Sequence, residues 1–222
     1  MPAAPRRSVS RVLVTGFEPF GGETVNPSWE AAQLLRTAPP PDTDVTAVRL
    51  SCVFGAAADE LRAAVAETGP DLVLCVGQAG GRHDLTVERV ALNLDDARIP
   101  DNAGRQPLDE PVVPGAPTAY LSALPVKACV AAARAAGVPA SVSQTAGTFV
   151  CNHVFYTLAH LIATQRPGLR GGFVHVPFAP SQVTVGGQPS MSVSDMADGL
   201  RAVLTAALTT SDDISAVEGA TH

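Results

Sequence analysis

Leu72-Val-Leu-Cys-Val76 is apolar at every position and runs into the glycine-rich stretch Gly77-Gln-Ala-Gly-Gly81. A strand with one face in water alternates apolar and polar residues, whereas a strand covered on both faces is apolar throughout. Val12-Leu-Val-Thr15, Val45 to Leu50 and Gly172-Phe-Val-His-Val176 have the same character, and Ala140 to Ser143 is a weaker member of the set. Helix-like segments separate them, at about 28–36, 56–67, 118–123, 126–136, 151–165 and 193–208. Ser28, after the turn residues Asn26-Pro27, is a suitable N-cap for the first, and Ser192 or Ser194 for the last. Buried strands separated by helices predict an α/β fold: three layers, α/β/α, around a mostly parallel, twisted central sheet.

One segment breaks the alternation. Leu85 to Asp95 has strand period, but its apolar phase slips from 85 and 87 to 90, 92 and 94, with the slip at Glu88-Arg89. A bulge or a bend between two strand pieces produces such a slip and re-aims side chains, as does a solvent-facing pair at the edge of an inserted hairpin. The stretch from Ile99 to Pro117 is dense in turn residues without sustained periodicity and reads as a long ordered loop, of the kind that forms lids or walls. Residues 1–10 and 211–222 read as frayed tails around a single domain over 11–210.

Composition narrows the function. The net charge of −6, with no basic cluster longer than Arg6-Arg7, argues against nucleic acid as a partner. No apolar run is long enough for a membrane span, and the N-terminus lacks the apolar stretch of a signal peptide, so a cytoplasmic protein is expected. The cysteines at 52, 75, 129 and 151 form no CxxC pair and are expected to be reduced. Lys127, the one lysine, lies in a helix-like stretch, which removes a Walker-type phosphate loop and makes Schiff-base chemistry a poor fit. With no zinc-finger spacing and no HExxH, no metal is expected; Gly77 to Arg82 lacks the dinucleotide fingerprint, so no cofactor is expected either.

Cys151 sits at the expected start of the 151–165 helix, where free backbone N–H groups and the helix dipole favour a thiolate. A buried cysteine acting as a small hydrophobe is the plain alternative. A nucleophile needs a base. On a helix, at about 100° per residue, His153 and His160 both point away from Cys151. His222 is terminal and His83 lies in a turn, which leaves His175, in an apolar strand ending at Pro177, as base or as a satisfied core histidine. Cys151 follows one strand and His175 ends another, and the loops from Gly16 and Gly77 also follow strands, so four elements converge on one sheet edge.

Together these motifs resemble the type I pyroglutamyl peptidases, also called pyrrolidone-carboxylate peptidases, over about residues 10–207. The likeness rests on Val14-Thr-Gly-Phe-Glu-Pro-Phe-Gly-Gly22 with Asn26-Pro-Ser-Trp-Glu30, Gly77-Gln-Ala-Gly-Gly-Arg82 with Glu88-Arg-Val-Ala-Leu-Asn93, Ile99-Pro-Asp-Asn102, Thr145-Ala-Gly-Thr-Phe-Val-Cys-Asn152 and His175-Val-Pro177. It implies a cysteine peptidase that removes N-terminal pyroglutamate from peptides without metal or organic cofactor. The nucleophile falls on Cys151, the base and acid on His175, and the third triad member on Glu88. Arg98 and the backbone N–H of Cys151 become the oxyanion donors, although an ion pair of Arg98 with Asp95 or Asp96 would be the ordinary reading. A neutral, flat lactam suits aromatic walls and one amide. Phe17 and Phe20 match those walls and Gln78 the amide; Phe149, Val150, Ile99 and Asn26 complete the lining, with core packing the alternative for the apolar members. Gln144 and Ser181 depart from the family's polar residues. The family is commonly a homo-oligomer, often a tetramer. A related α/β amide or lactam hydrolase, and a binding protein that has lost turnover, are the competing functions.

Overall fold

The computed structural model describes residues 9–183 and 187–220; most of the expected N-terminal tail, and His222, lie outside them. The elements in order are β1 (Ser10–Phe17), α1 (Pro27–Thr37), β2 (Thr43–Leu50), α2 (Ala56–Thr68), β3 (Leu72–Gln78), β4 (Leu85–Glu88), β5 (Val90–Leu92), β6 (Ala119–Leu121), α3 (Val126–Ala135), β7 (Ala140–Ser143), α4 (Val150–Thr164), β8 (Arg170–Val176) and α5 (Val193–Thr209). A six-stranded sheet has the order β2-β1-β3-β8-β4-β7, and β5 and β6 pair separately.

The alternation of side chains along β1 and β3 explains the three layers. Val12, Val14, Leu72, Leu74 and Val76 enter one apolar cluster with Leu35 of α1, Val130 of α3 and Leu200 of α5. Leu13, Val73 and Cys75 enter a second with Leu61 of α2 and Leu158 of α4. Both faces are covered, so Val12 to Val14 and Leu72 to Val76 are apolar throughout, and each leucine removed from water stabilises the fold by about 2 kcal/mol. Gly16 permits a close backbone approach, since a Cβ there would lie 2.5 Å from the Trp29 Cα in α1.

Directions within the sheet differ from a simple parallel array. β2, β1, β3 and β8 are parallel, but β4 runs antiparallel to β8, and β7 follows β4. Glu88 ends β4 in the main sheet and Val90 begins β5 in the small one, so the phase slip is a bend between two strand pieces, with the hairpin inserted after it. The helix expected at 118–123 is instead β6, whose Ala119–Leu121 pairs antiparallel with β5. A six-residue segment cannot complete a stable helix by itself, and the cross-strand partner settles its conformation.

Two caps also refine the reading. Asn26, not Ser28, caps α1, its side chain accepting from Ser28 N–H, while Ser192 caps α5 by accepting from Asp195 N–H. The C-terminal stretch expected to fray is held to α3 over 213–218. Pro125 opens α3 without a side-chain cap, and the Asp213 carboxylate accepts the free N–H groups of Lys127 and Ala128 at 3.0 and 2.9 Å. Lys127 Nζ donates to the Ala216 carbonyl and Arg134 pairs with Glu218.

Candidate active site

β3 and β8 lie side by side with Gly77 opposite His175. On the face covered by α2 and α4, Phe173 and His175 are neighbours along β8, their rings tilted with centroids 4.8 Å apart. Cys151 is the second residue of α4, and its Sγ lies 2.8 Å from the point a Cβ on Gly77 would occupy. The glycine therefore makes room for the thiol directly over the strand neighbour of His175. Cys151 reaches this place because α4 begins above that face. The expectation that its preceding strand ends on the same edge as β1, β3 and β8 is corrected, since β7 runs the other way.

Glu88 approaches from β4. Thr86 is the register partner of His175, so Glu88, two residues along on the same face, sits diagonally across from the ring. His175 Nδ1 lies 2.8 Å from Glu88 Oε1, with both residues buried. An ionised Glu88 makes Nδ1 the donor and leaves Nε2 as the basic nitrogen. Burial pushes the Glu88 carboxyl up, but the hydrogen bond and charge of His175 and the charge of Arg82 outweigh it and hold it below its ordinary value.

The thiol behaves differently from the expectation of a helix-stabilised thiolate. Burial, with Cys52 and Glu88 nearby, pushes Cys151 well above its ordinary value, and the opposing charge of Arg82 does not compensate. Desolvation outweighs the helix terminus here, so the resting group is the thiol. Cys52, Cys75 and Cys129 are fully buried and pushed up to about 12 by burial. Cys151 alone among the four is partly exposed.

An aromatic cluster stands beside this group. Phe20 packs on Phe149 at 6.0 Å, and Phe54 meets Phe149 edge-on at 5.3 Å; Phe17 is buried against Phe173 at 6.4 Å. Gln78 ends β3, and its Oε1 accepts from Gln182 Nε2 at 3.0 Å, which leaves the Gln78 amide N–H groups for another partner. Gln182 is itself fixed, because its Oε1 accepts from Ala179 N–H. Ile99 is 37% exposed on the long loop. Val150 has no exposed surface and belongs to the core. Asn26 is committed within the fold, its Oδ1 capping α1 and its Nδ2 donating to the Glu18 carbonyl at 3.0 Å.

Arg98 is exposed and, among the described residues, makes no ion pair with Asp95 or Asp96. Asp95 is taken by His153, whose Nδ1 lies 2.8 Å from its Oδ2 while Nε2 accepts from Gly55 N–H at 3.1 Å. His153 thus faces away from the thiol, as the helix geometry requires, and ties α4 to the loop carrying Phe54. Asp101 orders the long loop, accepting from the backbone N–H groups of Phe54, Ala103 and Arg105. Glu18 accepts from Cys52 N–H and Asn102 Nδ2, linking that loop to the end of β1. Sequence reasoning missed Phe54, Asp95, Gln182 and the tie from Glu18 to the long loop, because each depends on a partner distant in the chain, and it missed the role of Arg82, whose partner Glu88 is only six residues away but on another element. Among the described residues there is no group of histidine, cysteine and acidic side chains arranged to hold a metal, and no helix long and apolar enough to cross a membrane.

The family model described as pyroglutamyl peptidase matches residues 10–210. The pyrrolidone-carboxylate peptidase of Streptomyces coelicolor is 63% identical over 216 residues, covering 96% of this chain and 100% of that protein. The protein of the same name from an Enterobacter species is 55% identical over 95% of this chain and 99% of its own length. Among solved structures, pyroglutamyl peptidase I from Bacillus amyloliquefaciens superposes with a TM-score of 0.92 at 46% identity, covering 94% of this chain and 99% of that one. A mutant pyrrolidone carboxyl peptidase from the hyperthermophile Pyrococcus furiosus superposes with a TM-score of 0.86 at 41% identity, over 89% and 98% of the two chains.

Proposed function

The chain belongs to the pyroglutamyl peptidase family of cysteine omega peptidases, and from that premise we propose that it hydrolyses the amide bond after an N-terminal pyroglutamyl residue through a thioester on Cys151. The observation that carries the reading is the buried His175–Glu88 hydrogen bond, on the strand neighbour of the glycine over which Cys151 lies.

His175 Nε2 takes the thiol proton as sulfur attacks the carbonyl carbon. Since the resting group is a thiol, proton transfer accompanies attack and does not precede it. Negative charge collects on the carbonyl oxygen, and two donors suit it. The backbone N–H of Cys151 lies in the first turn of α4, where no intrahelical acceptor exists, and Arg98 is exposed and free of Asp95 and Asp96. Collapse of the tetrahedral species expels the peptide amine, which receives the proton from His175. Water, activated by the same nitrogen, then attacks the thioester, releasing free pyroglutamate and restoring the thiol. Glu88 orients the imidazole and balances its charge while it carries the proton.

Specificity follows from neutrality. A pyroglutamyl group has no ammonium, and the partly exposed Phe20 and Phe149, backed by the buried Phe17 and Phe54, offer flat apolar surface to its ring. The Gln78 amide, its oxygen occupied by Gln182, presents N–H groups to a lactam carbonyl. Four free cysteines suit a reducing compartment, in keeping with a cytoplasmic protein. Assembly into a homo-oligomer rests on the family resemblance and is tested by sedimentation velocity; a monomer at all concentrations would remove it.

Fluorogenic amides of pyroglutamate, proline and glutamate, compared under reducing conditions, test the specificity. Release from pyroglutamate alone is expected, and equal release from all three would overturn it.

A further inference from the structure

Glu88 has no exposed surface, and a buried carboxylate needs an opposite charge as well as hydrogen bonds. His175 supplies a hydrogen bond at 2.8 Å, and a charge only when it is protonated. Arg82, in the turn after β3, supplies the charge. Its Nη1 lies 2.6 Å from Glu88 Oε1, the same oxygen that accepts from His175 Nδ1 at 2.8 Å. The same nitrogen also donates to Thr86 Oγ1, and Thr86 is the register partner of His175. One guanidinium therefore grips both the acid and the residue opposite the base. Among the described residues that bond to Glu88, it is the one permanent cation.

Resting on the reading of Cys151, His175 and Glu88 as the reacting group, we propose that Arg82 is a positioning residue for the reaction. It keeps Glu88 ionised beside a neutral imidazole, and it stops the Glu88–His175 pair from holding a proton too tightly for His175 to act as a base.

Competing charges set the proton affinity of the pair. A carboxylate beside an imidazole strengthens the hold of the pair on a proton, and a cation on the same oxygen weakens it. The other groups facing the pair add no positive charge: Thr86 on β4, Ser143 on β7 and Cys151 on α4. Arg82 is 29% exposed at its side chain, so solvent screens part of its effect. Replacing it should shift the proton affinity of the pair by about one pH unit rather than several.

The test compares Arg82→Gln and Arg82→Lys with the unaltered protein by the pH dependence of kcat/KM. For Arg82→Gln the acid limb is expected to move up by about one unit, giving roughly tenfold lower kcat/KM on that limb, with KM within about twofold. Arg82→Lys, which keeps the charge, should restore most of the loss. Superimposable profiles, or a lysine variant as impaired as the glutamine one, would overturn the proposal.

The titration of the His175 ring nitrogens by NMR in the Cys151→Ala background reads the same pair without turnover. Failure of the peptidase reading would therefore leave this measurement intact. If Arg82→Gln alone does not fold, Glu88→Gln/Arg82→Gln removes both charges together. Its His175 titration should match that of Glu88→Gln alone, and a further shift would show that Arg82 does not act through Glu88.

Discussion

The Sγ of Cys151 lies 2.8 Å from where a Cβ on Gly77 would stand, so the residue opposite His175 must be glycine for the thiol to occupy its place. The same Cβ would lie 2.8 Å from the Phe173 ring. Room for the nucleophile is thus made by the absence of one carbon on a neighbouring strand.

Gly77→Ala follows directly. The added methyl pushes Cys151 out of line with the base, and a displacement of about 1 Å is enough to lower kcat by about a hundredfold. Crowding of Phe173 should also destabilise the fold by about 1–3 kcal/mol. Steady-state kinetics with a thermal unfolding control measure both, and a folded variant with kcat within about twofold of the parent would contradict the geometry.

The pH dependence of stability follows from Glu88. Its carboxyl is held below the ordinary 4.5, so the folded state binds its proton less readily than the unfolded chain does. That contribution to stability is complete above 4.5 and is lost as pH falls through the lower, folded value. Glu88→Gln has no such group to titrate. Urea unfolding should show the parent's advantage over Glu88→Gln shrinking as the pH is lowered below 4.5. An advantage that stays constant over that range would mean that the carboxyl is not held ionised by its partners.

Alkylation distinguishes a resting thiol from a resting ion pair. With Cys151 pushed well above 9.0, iodoacetamide should react slowly at neutral pH and faster as pH rises into the alkaline range. Label should appear on Cys151 before the three buried cysteines. Rapid, pH-independent labelling below neutrality would indicate a preformed thiolate and imidazolium.

Legibility divided along a physical line. Strands buried on both faces announced themselves as apolar runs, and the phase slip at Glu88-Arg89 announced the departure from the main sheet to β5. Strand direction was not legible, because a run such as Leu85 to Val87 is equally apolar read either way, and the reversed β4 and β7 follow from how the loops close. β6 looked helical because three residues carry too little pattern to oppose local propensity. Helix geometry correctly turned His153 away from Cys151, yet its partner Asp95 lies 58 residues earlier and left no local trace. Arg82 lies in a glycine-rich turn, where a charge looks like surface until Glu88 is placed beneath it. The raised thiol of Cys151 was likewise hidden: the helix terminus is visible in sequence, while the desolvation that outweighs it is a property of the packed site.

The central claim is that turnover passes through an acyl group on Cys151. Rapid acid quench of the protein during hydrolysis of a pyroglutamyl ester or amide, followed by digestion and mass spectrometry, reads it directly. The account predicts one pyroglutamyl group on the peptide that contains Cys151, absent from Cys151→Ala, which should also lose at least about a thousandfold in kcat. Undiminished turnover by Cys151→Ala, or an acyl group found on another residue, would contradict it.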